Sequence, residues 1–248
     1  MFMKLFQNEW MKMNSKRQGL YFNLFLIVMM GGIGLVIKLF VKGASEEMDA
    51  YAFLAMCSQM MPMIIMLFGV VIGAQIVTDE FKDGTIKQLL IRPASRASVL
   101  MSKYVAAIVM FLLTYVVMIV ASFAIGAVFF GIGEGSIVDQ IMMISYGIPF
   151  SIFLLTVSFA AGVFTTSLGL SIGIGLFINI FSSMFGLMVG GKEWSKYVVL
   201  KYTSLAPYAK GAVDSLGVNM WFALTITILS IAVFAILSIV RFKTREIN

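Results

Sequence analysis

Side chains equipped for covalent or acid–base chemistry are scarce in this chain, and what is missing narrows the function before any motif is considered. There is no histidine, which removes both an imidazole base and a histidine metal ligand. The one cysteine, Cys57, lies inside an apolar run, so neither a disulfide framework nor a thiolate metal site is expected within one copy. No Gly-x-x-x-x-Gly-Lys-Ser/Thr loop and no Asp-rich ligand set occurs, so the chain alone is not expected to hydrolyse a nucleotide or to bind a metal or cofactor of its own. Serines and threonines are scattered through the apolar runs with no histidine or lysine placed to activate one as a nucleophile. Acidic residues are nearly absent from the run centres, which leaves no carboxylate relay for gradient coupling. The chain is therefore not expected to be an enzyme, and the energy for any transport has to come from outside it.

The polar chemistry that remains is concentrated between residues 79 and 98, which read DEFKDGTIKQLLIRPASRAS. Gly84 supplies a turn, Thr85 a cap and Pro93 a stop, and between these marks Ile86, Leu89 and Leu90 fall on one face of a short helix. Lys87, Arg92 and Arg96 surround that face with positive charge. An apolar edge on a short polar helix needs a partner, and the sequence leaves two: a soluble protein, or the lipid headgroups on which a plain charged loop would rest its leucines.

The sequence on both sides belongs in lipid. With 60% hydrophobic residues, 12% charged residues and a mean hydropathy of +1.00, 248 residues cannot hide their apolar surface beneath a polar one, which makes this an all-α integral membrane protein. The net charge of +6 is segregated between apolar runs, which speaks against nucleic acid as a partner and for the positive-inside pattern.

Six crossings are predicted over residues 20–41, 51–78, 104–133, 141–164, 168–189 and 219–240, forming one transmembrane domain of residues 20–240. Residues 1–19 precede it as an amphipathic helix rather than a secretory signal, and a basic tail of residues 241–248 follows. In the amphipathic helix Trp10 belongs to the apolar face, and Glu9 projects close to the middle of that face, which calls for snorkelling or a polar partner on another segment. Gly31, Gly32 and Gly34 are read as a close-approach face of the first crossing, and a tilt, a kink at Pro62 or an extension explains the length of the second. Pro149 predicts a kink or a broken first turn in the fourth crossing, and Thr165–Ser167 a hinge to the fifth. Asn179, mid-way along the fifth crossing, is expected to bond to another helix or to contact cargo. Residues 191–218, too polar to cross and too aromatic for free solvent, are read as one or two short helices in the outer interface.

An even number of crossings puts both termini on one side. If that side is the cytoplasm, its segments hold 12 of the 18 basic residues against 6 outside, so a cell-membrane protein with cytoplasmic N and C termini is expected.

Glu80 followed by Gly84-Thr85, Leu89-Leu90, Pro93 and Arg96, with Lys103 opening the next crossing, resembles the first cytoplasmic loop of ABC-2 type ABC transporter permeases, in particular the small bacterial six-span group of bacitracin resistance, lantibiotic immunity and peptide export. The phenylalanine-rich amphipathic start with Glu9 and Trp10, the tight fourth-fifth hairpin and the semi-polar stretch before the last crossing match that layout. The resemblance implies a coupling helix over residues 84–93 that docks on a separate ATP-binding subunit carrying the ATP and Mg2+, and a second permease, identical or related. It also implies that Glu80 pairs with a basic group of the amphipathic start or of the loop. The cargo implied by spans rich in methionine, phenylalanine and small residues is hydrophobic or amphipathic, a peptide or peptide antibiotic, with Met60, Met63, Met66 and Asn179 as candidates for its path. Two other classes stay open: a non-transporting membrane sensor or immunity protein, and an ion-gradient-driven carrier.

Overall fold

The computed structural model describes residues 2–41, 48–84, 95–189 and 191–244, and every residue it describes in regular structure is helical. Helices α1 (Phe2–Ser15), α2 (Gln18–Phe40), α3 (Ala50–Lys82), α4 (Arg96–Phe130), α5 (Ile137–Ser145), α6 (Ile148–Thr165), α7 (Leu168–Val189) and α8 (Met220–Thr244) follow in order. Between α7 and α8 lie three 3-10 helices, Glu193–Tyr197, Val199–Lys201 and Ala206–Gly211. Six stretches among the described residues are long and apolar enough to cross a membrane: α2, α3, α4, α5 with α6, α7 and α8.

The helices run past the apolar stretches. α3 continues to Lys82, α4 starts at Arg96 and α8 reaches Thr244, because backbone hydrogen bonding is indifferent to where the hydrocarbon ends. α4 stops at Phe130, short of the expected residue 133, where Gly131 (φ 88°) and Gly133 (φ 63°) turn left-handed. Pro62 lies inside α3, which continues through it as helix. Before Pro149 the chain breaks between α5 and α6, and Thr166 at φ 57° makes the turn between α6 and α7.

The residues divide into two compact units. One comprises Met1–Trp10, Met66–Val109 and Tyr146–Asn248; the other comprises Met11–Ile65 and Met110–Ser145. In the first, α6 is the centre, with 13 of its 18 residues buried. Such a helix needs apolar neighbours all round, and Phe150, Phe153, Leu154 and Val157 find them in Met66 and Val70 of α3 and in Val199. Glycines set the spacing. A methyl group placed on Gly73 of α3 would stand 2.6 Å from the Leu155 carbonyl oxygen, and one on Gly162 of α6 would stand 3.1 Å from that of Ala74.

The second unit packs by the same device at different glycines. Gly34 of α2 admits the Phe129 ring of α4, and Gly126 of α4 admits the Ala50 backbone at the start of α3. Gly31 and Gly32, expected to share the contact made by Gly34, have nothing within 4 Å, because they point away from the helices of their own unit. Asp49 caps α3 by accepting from the Ala52 N–H at 2.7 Å, and Lys38 lies 5.6 Å over the Phe129 ring.

The segment between α7 and α8, expected to hold one or two short helices, holds three short 3-10 helices, and Tyr202, Leu205, Tyr208 and Val218 share a small core with Ala223 of α8, in which Tyr202 and Tyr208 pack on one another. Trp194 and Tyr197 stay exposed. Lys201 pairs with Asp214 at 2.6 Å, and that hydrogen bond holds the Asp214 carboxyl below its ordinary pKa, while burial first, then the neighbouring Tyr208 and Asp214, push the Tyr202 phenol up to about 12. A lowered carboxyl contributes stability that is present above its ordinary pKa and lost as pH falls through the folded value; a raised phenol contributes stability that is present below its ordinary pKa and lost as pH rises through the folded value. Limited proteolysis of residues 191–218 should therefore accelerate below the ordinary carboxylate range and again towards pH 12. Asp214→Asn should abolish the acid step, and Tyr202→Phe should weaken the alkaline one, to which the raised Tyr208 phenol also contributes; an unchanged acid step in Asp214→Asn would mean that the Lys201–Asp214 pair does not hold the segment.

Candidate functional site

α1 carries its apolar side chains on one face, and its docking on the first unit is narrow: only Leu5 and Glu9, one turn apart, are buried. Phe6 and Trp10 lie in the next register and stack with ring centroids 6.3 Å apart. The Glu9 carboxylate reaches Lys103, whose Nζ donates to Glu9 Oε2 at 2.6 Å and to Glu80 Oε1 at 2.7 Å. All three side chains are under a tenth exposed, so this is a buried ion cluster rather than a surface bridge. Charges so placed persist only with close partners, since each is desolvated at a cost of several kcal/mol and repaid through short charge-assisted bonds.

Three elements meet at Lys103. Glu9 belongs to α1, Glu80 lies two residues before the end of α3, and Lys103 sits in the second turn of α4, so the ammonium ties together the two helix ends that flank residues 85–94. Ser95 caps α4 by accepting from the Ser98 N–H at 3.1 Å. Arg96 Nη1 donates to the Lys243 carbonyl in the last turn of α8 at 3.2 Å, a cation at a helix C-terminus. One residue past Lys103, the Tyr104 hydroxyl is 2.7 Å from Thr156 Oγ1, and its ring packs at a tilt against Phe159, which joins α4 to the central α6.

Of the residues singled out in the sequence, Glu9 and Glu80 come together, and Arg96 stands close by along the chain. Gly84 takes the left-handed conformation (φ 66°) that its turn requires. Thr85, Ile86, Leu89, Leu90 and Pro93, and with them residues 85–93 of the expected 84–93 helix, lie outside the described residues. Glu80 accepts from Lys103 of α4, whose side chain is buried between the two carboxylates. Lys103 had a signal in the sequence: it interrupts the apolar face LMSKYVAA, where a buried lysine demands a carboxylate.

The methionine set does not form one surface. Met60 and Met63 are exposed, whereas Met66 is buried in the core around α6, because the helical turn carries it to another face of α3. Asn179 is half-buried, and its side chain makes no hydrogen bond to another helix among the described residues.

An all-α architecture with six long apolar helices is that of a multi-pass membrane protein. The chain belongs to the family described as "Protein of unknown function (DUF2705)", which it matches over residues 14–248, a range that holds Glu80 and Lys103 and begins after Glu9. It is also similar to "Uncharacterized protein YhcI" of Bacillus subtilis (strain 168), at 28% identity over 200 residues, covering 73% of this chain and 64% of that protein. The chain thus spans just under two thirds of the length of the curated relative it matches.

Proposed function

We propose that this chain is the membrane-spanning permease subunit of an ATP-driven ABC exporter of the ABC-2 type, set in the cell membrane with both termini in the cytoplasm. ATP and Mg2+ belong to a separate ATP-binding subunit that grips residues 84–93. A second permease, a second copy or a related chain, completes the translocation path. The cargo is hydrophobic or amphipathic, a peptide antibiotic or similar, and the exposed Met60 and Met63 together with the unbonded Asn179 amide are the side chains offered to it. No polar or charged group of the ion cluster lies mid-span, which favours this reading over gradient coupling.

The observation that carries the reading is the Glu9–Lys103–Glu80 cluster. A subunit powered from outside needs the loop it exposes to be mechanically continuous with its spans. Here both helix ends beside that loop are tied to one ammonium, and through Arg96 and Tyr104 to α8 and α6. Leucines at positions 89 and 90 complete the argument as the apolar face for the ATP-binding subunit.

The test is the Leu89→Asp/Leu90→Asp double variant. Both positions lie outside the apolar runs, so membrane abundance should be unchanged, yet charge would be forced into the proposed contact. Loss of ATP-binding-subunit pull-down and of cargo-stimulated ATP hydrolysis in liposomes is the expected outcome. Retention of both at the unmodified level would overturn the assignment, and with it the reading as a permease subunit.

A further inference from the structure

We propose that Glu9 is a latch: its bond to Lys103, and not lipid binding, sets the position of α1 against the ends of α3 and α4, and this fastening has to hold for cargo to stimulate ATP hydrolysis. The second half rests on the function proposed above; the first stands on geometry alone. Leu5 and Glu9 are the α1 residues that are buried, Phe6 and Trp10 are half-buried, and Phe2, Met3 and Met11 remain exposed. An amphipathic helix held only by lipid would keep its carboxylates on the wet side. Glu9 is instead 7% exposed and 2.6 Å from a buried ammonium.

The arrangement around Lys103 makes the latch separable from the fold. Removing the Glu9 carboxylate leaves Lys103 bonded to Glu80 at 2.7 Å, a contact that still joins α3 to α4. Glu9 is therefore a positioning residue, acting on residues 85–94 through Lys103.

Two spin labels report this directly, on Met3→Cys of α1 and Thr244→Cys of α8, in a Cys57→Ala background; both sites are exposed and both belong to the first unit. In nanodiscs of phosphatidylcholine and phosphatidylglycerol, the otherwise unmodified protein should give one narrow distance peak. Glu9→Ala should replace it with a broad distribution, while Leu5→Ala should keep the peak. A narrow, unshifted peak in Glu9→Ala overturns the latch, as does a broadened one in Leu5→Ala alone, which would make the contact apolar. A second measurement separates this from the function reading. In liposomes with the ATP-binding subunit, Glu9→Ala should retain subunit pull-down, because Leu89 and Leu90 are untouched, and should lose cargo stimulation of hydrolysis. Undiminished stimulation with α1 released overturns the coupling half. If the unmodified chain binds no ATP-binding subunit, the function reading fails while the spin-label result still decides the latch.

Discussion

Replacing Lys103 by alanine is expected to be among the most damaging single changes in the protein, with a loss of about 3–5 kcal/mol. The cause is what remains: two carboxylates, Glu9 and Glu80, both buried and both stripped of the ammonium that bonds them at 2.6 and 2.7 Å. In a chain of this length such a loss corresponds to a fall in melting temperature of roughly 10 °C. The measurement is thermal unfolding in detergent, followed by intrinsic tryptophan fluorescence. The sign of a second variant is the sharper check. Glu9→Gln/Glu80→Gln/Lys103→Met removes these three charges while roughly keeping the volumes, and replacement of buried ion-paired side chains by neutral ones is often neutral or stabilising. The triple variant should therefore recover most of what Lys103→Ala loses. A triple variant as unstable as the single one would mean that the cluster is not what holds these three elements.

The second large effect is expected at the glycines of the first unit, with opposite signs at positions of identical chemistry. Gly73→Val puts a branched side chain where even a methyl group would be 2.6 Å from the Leu155 carbonyl oxygen, and backbone cannot step aside as a flexible side chain can. Overpacking of this kind costs about 1–3 kcal/mol or more, and here it also separates α3 from the central α6. Gly162→Ala, at 3.1 Å from the Ala74 carbonyl oxygen, should be destabilising to a smaller degree. Gly173→Ala and Gly186→Ala on α7 have nothing within 4 Å, so the gain in helix propensity, about 0.8–1 kcal/mol, should dominate and stabilise the isolated chain. Thermal unfolding of the four variants side by side tests this. Equal effects at Gly73 and Gly173 would refute the close contact of α3 and α6.

Composition and periodicity determined a good deal here. Mean hydropathy and the lengths of the apolar runs dictated helices in lipid and six stretches able to cross, since a spanning segment in hydrocarbon has to satisfy its own backbone. Proline chemistry marked a kink or a broken turn at Pro149, and the carboxylate of Glu9 in the middle of an apolar face called for either snorkelling or a polar partner on another segment. These are local properties, legible wherever the physics depends on residues a few positions apart. Helix ends were less legible: α3 and α4 run into the charged stretch because hydrogen bonding along a helix continues beyond the hydrophobic signal.

Only the tertiary structure decided which glycines are contacts and which face outward, because Gly34 and Gly31 are the same residue on the same helix and differ only in what lies opposite. It likewise separated Met66, inside a core, from Met60 and Met63, and turned Tyr202 and Tyr208 inward on each other while leaving Trp194 and Tyr197 exposed. Most consequentially, it chose Lys103 as the partner of both Glu9 and Glu80. The sequence offers many lysines, and a pairing across 94 residues on one side and 23 on the other is set by how three helices pack, a long-range fact that no local pattern encodes.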